Sequence, residues 1–221
     1  MNKICQNIEK IKESIPQEVT LVAVSKTKPV EDILEAYHCN HRDFGENKVQ
    51  ELVDKHEALP QDIRWHMIGH LQRNKVKYIA PFVYLIHGVD NLKLLKEIEK
   101  QAAKIDRTID ILLQVKIAKE ETKFGMDENT LEEITGLYQA GDFPHVRLKG
   151  LMGMATYTYD KEQIAAEFEY LHQLYLKYRK KIPEFSYLSM GMSGDYPIAI
   201  AHGSNLIRVG SAIFGARDYH Q

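Results

Sequence analysis

Eight short apolar runs, each followed by an amphipathic or polar stretch, give this chain its cadence. The runs at 21–25 (LVAVS), 42–46 (RDFGE), 64–69 (RWHMIG), 83–88 (VYLIHG), 110–116 (DILLQVK), 147–154 (RLKGLMGM), 186–191 (SYLSMG) and 206–210 (LIRVG) predict strands. Between them, helical spacing appears at 30–39, 47–58, 91–105, 127–140 and 160–180, with shorter stretches at 72–79 and 195–202. Pro29, Asp90–Asn91 and Asp127 stand where such helices begin, and Pro60 and Pro81 where they end. Ile4, Ile8, Ile11 and Ile15 add an amphipathic helix ahead of the first strand. Strand–helix alternation of this kind predicts an α/β chain, and eight units fit a single (β/α)8 barrel over 1–221. An open doubly wound sheet would usually show GxGxxG after its first strand, and none is present. The eighth unit finishes close to Gln221, so no C-terminal β domain is expected.

Composition narrows the function. A formal charge of -2 gives no basic field for a polyanion, so nucleic acid is not an expected partner. Lysines and glutamates break up the N-terminal isoleucines, and no run reaches the roughly 20 apolar residues of a membrane span. No membrane partner is expected, and the chain reads as cytoplasmic. Cys5 and Cys39 are the only cysteines, too few for a disulfide framework, and are expected to be ordinary thiols. His66 and His70 lack a third ligand and the helical geometry of a zinc site, so no metal is expected. Most of Tyr157, Tyr159, Tyr170, Tyr175 and Tyr178 are expected to pack against the barrel.

Candidate chemistry lies at the ends of strands. Lys26, in AVSKTKP at 23–29, follows the first strand, where barrel enzymes place their reacting groups. Its amine attacks an aldehyde only when neutral, which a lysine of ordinary pKa near 10.4 achieves when desolvation or nearby cations disfavour its charge. Taken by itself, Lys26 could equally be a solvated loop lysine. The loops after the last two strands read GMSGD at 191–195 and RVGSAIFGAR at 208–217. Their glycines allow backbone to approach an anion and Ser193 and Ser211 can donate to it, although the same residues serve plain turns and caps. Arg208, inside the last strand, needs an acceptor for its guanidinium: a pyridine nitrogen or a carboxylate on a neighbouring strand would serve.

Taken together, AVSKTKP, FGEN at 44–47, WHMIGHLQRNK at 65–75, GLMGM at 150–154, SMGMSGD at 189–195 and RVGSAIFGARDY at 208–219 resemble the pyridoxal phosphate homeostasis protein family nearly end to end. The resemblance implies a barrel of the alanine-racemase N-terminal domain type, carrying pyridoxal 5'-phosphate as an aldimine on Lys26. It implies that Arg208 faces the pyridine nitrogen, that Ser193, Gly210 and Ser211 surround the phosphate, and that Asn47 and His66 line the mouth. Asn47 also reads as the N-cap of the helix at 47–58. The implied role is binding, buffering and delivery of the cofactor, with pyridoxal-phosphate-dependent apoenzymes as partners, a monomeric state and no established catalysis. The larger racemases take one of their two bases from a second domain and a partner subunit. A racemase-like enzyme, or a Schiff-base aldolase acting on a phosphorylated small molecule, is the alternative. The chain departs from the family where His70 stands for a common proline and Thr122 for a frequent serine. Those changes bear on loop conformation.

Overall fold

The computed structural model describes residues 2–120 and 122–215. All eight predicted strands are present: β1 (Thr20–Val24), β2 (Asp43–Glu46), β3 (Arg64–Met67), β4 (Leu85–Val89), β5 (Ile109–Gln114), β6 (Val146–Met152), β7 (Tyr187–Ser189) and β8 (Leu206–Val209). They pair in parallel and in chain order, and β8 returns to β1 with Val22 opposite Arg208, closing the barrel. Strands covered on both faces show little alternation, which is why they appear in the chain as apolar runs.

Around the barrel run α1 (Lys3–Ser14), α2 (Val30–His38), α3 (Val49–Ala58), α4 (Val76–Ile79) after a 3₁₀ turn at Arg73–Lys75, α5 (Leu92–Lys104), α6 (Glu128–Gln139), α7 (Lys161–Arg179), α8 (Tyr196–Ala201) and α9 (Ser211–Phe214). Side-chain caps start several of them: Asn91 accepts from Leu94 N–H at 2.9 Å and Asp127 from Thr130 N–H at 2.8 Å. None of the described helices is long and apolar enough to cross a membrane. The main apolar core fills the layer between sheet and helices, with Trp65, Phe44, Phe168 and Tyr178 fully buried there. A smaller cluster, Val22, Leu85, Leu112, Met152 and Leu206, plugs the barrel's interior.

Four expectations change. The helix α9 was not predicted, because four residues carry no period; the last part of the 208–219 motif, 216–219, lies outside the described residues. Asn47 does not cap α3, whose N-cap is Lys48. Of the five tyrosines only Tyr175 and Tyr178 pack as expected: Tyr170 is exposed on α7, and Tyr157 and Tyr159 are 87% and 98% exposed in the loop after β6. Cys5 and Cys39 are not remote from each other: α1 lies on α2 and brings their Cα atoms to 5.8 Å, within the span of a disulfide.

Candidate functional site

Where β1 ends, the chain makes a turn closed by Lys28 N–H donating to Ser25 O at 3.0 Å, and Lys26 sits half-buried inside it. Thr27 takes φ 64°, a left-handed conformation costly for a β-branched residue, and its N–H donates to Glu51 Oε1 at 2.5 Å. Buried Lys55, on α3, ties this arrangement together. Its Nζ donates to Ser25 O at 2.8 Å, Glu46 Oε1 at 2.8 Å and Glu51 Oε1 at 2.7 Å, while Ser25 Oγ donates to Glu46 Oε1 at 2.6 Å. The lysine turn is thus braced from behind by an ionic cluster between β2 and α3.

Lys26 opens on a cavity of about 660 Å³ at the C-terminal mouth of the barrel. Six of the seven residues singled out in the sequence share its wall: Lys26, Asn47, Ser193, Arg208, Gly210 and Ser211. His66 stands apart, buried in the barrel interior and outside that wall. Gln114, Asp195, His70, Phe124 and Tyr157 join the wall without having been singled out as ligands. His70 stacks on Phe124 with ring centroids 4.3 Å apart, so the family departure at position 70 falls on the cavity itself.

Asn47 reaches the wall because the loop after β3 closes over it at Gly69. A Cβ there would lie 2.4 Å from Asn47 O and 2.7 Å from its Cα, contacts that backbone cannot yield cheaply. Gly69→Ala is therefore expected to cost about 1–3 kcal/mol by overpacking and to displace Asn47. Urea melts check the first effect; a mutant as stable as wild type would show that this approach is looser than it appears.

The loops after β7 and β8 meet at Ser193 and Gly210, where Gly210 N–H donates to Ser193 Oγ at 3.3 Å. Gly191, at φ +89°, starts the first loop; a Cβ there would meet Tyr196 Cα at 2.8 Å. Asp195 closes it, accepting from Met192 N–H at 2.6 Å. Burial pushes the Asp195 carboxyl up, against that hydrogen bond and the nearby Arg208 charge. Lys26, Lys28 and Arg208 give the wall three cations against this one carboxylate, a balance suited to an anionic ligand.

Arg208 has no ion-pair partner among the described residues. Its NH1 donates to Ser189 Oγ and its NH2 to Gly153 O at 3.2 Å. Burial lowers its pKa to about 10, partly offset by Asp195. Of the two acceptors considered for this guanidinium, a carboxylate on a neighbouring strand is not the one present.

A lysine and a cation-rich wall lie at the C-terminal mouth of a closed parallel barrel, and residues 1–218 match the family model for the alanine racemase N-terminal domain, which makes this an alanine-racemase-type barrel protein. Alanine racemase from Clostridium difficile shares this fold at TM-score 0.80 and 12% identity, with 99% of this chain covering 58% of that one. Two nearer relatives narrow the class. The pyridoxal phosphate homeostasis protein of Vibrio alginolyticus is 40% identical over 234 residues, covering 99% of this chain and 100% of that protein. The structure of PipY from Synechococcus elongatus PCC7942 with PLP bound superposes at TM-score 0.87 and 34% identity, covering 96% of this chain and 100% of that one. The chain belongs to the pyridoxal phosphate homeostasis protein family.

Proposed function

We infer that this chain binds pyridoxal 5'-phosphate at the C-terminal mouth of its barrel, with Lys26 as covalent anchor, and serves in homeostasis of the cofactor. The observation that carries this reading is the shared wall: an amine, two hydroxyls, a glycine backbone and a carboxylate-free guanidinium around one cavity. PipY, a relative that covers this chain almost fully, holds PLP. The residues divide the work by chemistry. Ser193, Ser211 and the Gly210 backbone serve the phosphate, and Arg208 donates to the ring nitrogen and keeps it unprotonated. Asn47 borders the ring, and His66 supports the site from below.

Lys26 would be the residue that holds the cofactor covalently, since its amine, when neutral, can capture an aldehyde reversibly with loss of water. When bound, the cofactor supplies an electron sink, which a guanidinium partner makes weaker than a carboxylate partner would. This suits storage over turnover. A linkage reversible by another amine shields a reactive aldehyde and releases it to pyridoxal-phosphate-dependent apoenzymes. The protein acts as a monomer in the cytoplasm.

Purified protein mixed with pyridoxal phosphate and passed through a desalting column should keep a visible absorbance band, and pyridoxal lacking the phosphate should bind at least roughly tenfold more weakly, the scale of one lost charge-assisted hydrogen bond. A colourless protein that nonetheless binds phosphorylated sugars would contradict the reading and favour an aldolase.

A further inference from the structure

The barrel interior holds a string of polar side chains of which the cofactor reading uses only His66. Asp43, His66, His87 and Ser189 are all buried, between the mouth cavity and a cleft of about 830 Å³ at the opposite end of the barrel, whose wall includes Asp43 and Arg64. They form one continuous chain. Ser189 Oγ lies 3.1 Å from His87 Nδ1, His87 Nε2 lies 2.9 Å from His66 Nδ1, and His66 Nε2 lies 3.1 Å from Asp43 Oδ1. Ser189 accepts from Arg208 at one end, and Asp43 accepts from Arg64 Nε at 2.7 Å at the other.

The protons can be placed by satisfaction alone. The Asp43 carboxylate only accepts, so His66 donates from Nε2 and, as a neutral ring, accepts at Nδ1. His87 then donates from Nε2 and accepts at Nδ1, and Ser189 donates its hydroxyl proton to His87 while accepting from Arg208. With His66 doubly protonated the order would reverse along His87, and the buried Ser189 hydroxyl would have no acceptor in the chain. Burial above all, with the Arg208 charge added, holds His87 well below its usual range, in keeping with a neutral ring. Burial works to raise the Asp43 carboxyl, but the hydrogen bonds from Arg64 and His66 prevail and hold it well below the usual carboxylate range.

We propose that Asp43, His66, His87 and Ser189 form a one-directional relay that fixes and polarises Arg208, making His87 and Ser189 positioning residues for the cofactor ring. Every donor in the relay points from Arg208 toward Asp43, so each dipole turns its negative end to the guanidinium. The relay thereby supports a buried positive charge that makes no ion pair among the described residues, while NH2 of the same guanidinium is held by Gly153 O at 3.2 Å. Chains of this kind reinforce each member through polarisation. The inference rests on the pyridoxal phosphate reading for its consequence, but not for its existence.

Two measurements test it. In the cofactor-free protein, ¹⁵N spectra of the histidine rings should show His66 and His87 each protonated on Nε2 only, with His87 Nδ1 shifted by Ser189→Ala. A ring protonated on Nδ1, or on both nitrogens, overturns the relay whatever the cavity binds. In the loaded protein, His87→Leu should weaken pyridoxal phosphate binding roughly tenfold, the scale of one hydrogen bond to a charged group, and displace the absorbance maximum. His87→Gln, whose amide can accept from Ser189 and donate to His66, should recover binding to within about threefold of wild type. In an Arg208→Gln background, His87→Leu should change affinity by less than about twofold, because its effect passes through Arg208. Equal losses in both backgrounds overturn the proposal. If His87→Leu does not fold, Ser189→Ala carries the same cycle. Wild-type protein that has the expected ring-nitrogen pattern but takes up no cofactor contradicts the reading of the cavity and leaves the relay standing.

Discussion

Lys26→Ala is expected to abolish the visible absorbance of the loaded protein and to weaken retention of pyridoxal phosphate by at least roughly a hundredfold, about 2.7 kcal/mol. The phosphate cradle and Arg208 survive the substitution, so residual binding should be reversible, colourless in the lysine-linked band and competed by inorganic phosphate. The turn itself should stay in place. Lys26 is half-buried in a turn whose backbone bonds, Lys28 N–H to Ser25 O and Thr27 N–H to Glu51, do not involve its side chain. A mutant that keeps the wild-type band would place the covalent attachment elsewhere and remove the basis of the assigned role.

Lys55→Met should have the largest effect on stability, about 3–5 kcal/mol in urea melts at mildly alkaline pH, where it leaves the buried Glu46 charge uncompensated. Lys55 Nζ bonds Ser25 O, Glu46 and Glu51 at once, and Glu46 Oε2 already lacks a partner among the described residues. Loss of the brace should also loosen the Lys26 turn, since Glu51 holds Thr27 N–H. Burial pushes the Glu46 carboxyl up from 4.5 to about 7, even against Lys55 and Ser25. The folded chain therefore keeps a proton that the unfolded chain has lost over that interval. Its stabilising contribution is complete below 4.5 and is lost as pH rises through about 7. Relative to Glu46→Gln, the wild type should lose up to roughly 3 kcal/mol across that window. The difference between the two proteins isolates Glu46 from His41 and His87, whose lowered pKa values act in the opposite direction. For the same reason, Lys55→Met should be least harmful near pH 5, where Glu46 carries its proton. A flat difference across the window would show that Glu46 is charged throughout.

How much of this was legible in the sequence follows from how local each cause is. Strands buried on both faces leave apolar runs, so the barrel could be read directly, and Lys26 stood out because a turn follows its strand. Errors arose where tertiary contacts override local pattern. The fourth strand was expected at 83–88 but runs Leu85–Val89, because Val83 N–H is taken by Ile79 O at the end of α4. The seventh was expected to reach Gly191, whose φ of +89° ends it at Ser189. His66 was placed in the mouth because its strand leads there, but its ring is held in the interior by His87 and Asp43. His87 and Ser189 carried no signal at all: they meet across 102 positions of chain, and only barrel closure brings them together. The closeness of Cys5 and Cys39 was hidden for the same reason, being made by the packing of α1 on α2.

The most direct test of the central claim is borohydride reduction of the wild-type protein loaded with pyridoxal phosphate, followed by peptide mass mapping. A single pyridoxyl-phosphate adduct on the peptide containing Lys26 is the expected result. An adduct spread over surface lysines, or concentrated on Lys28 or Lys55 with Lys26 unmodified, would contradict the account.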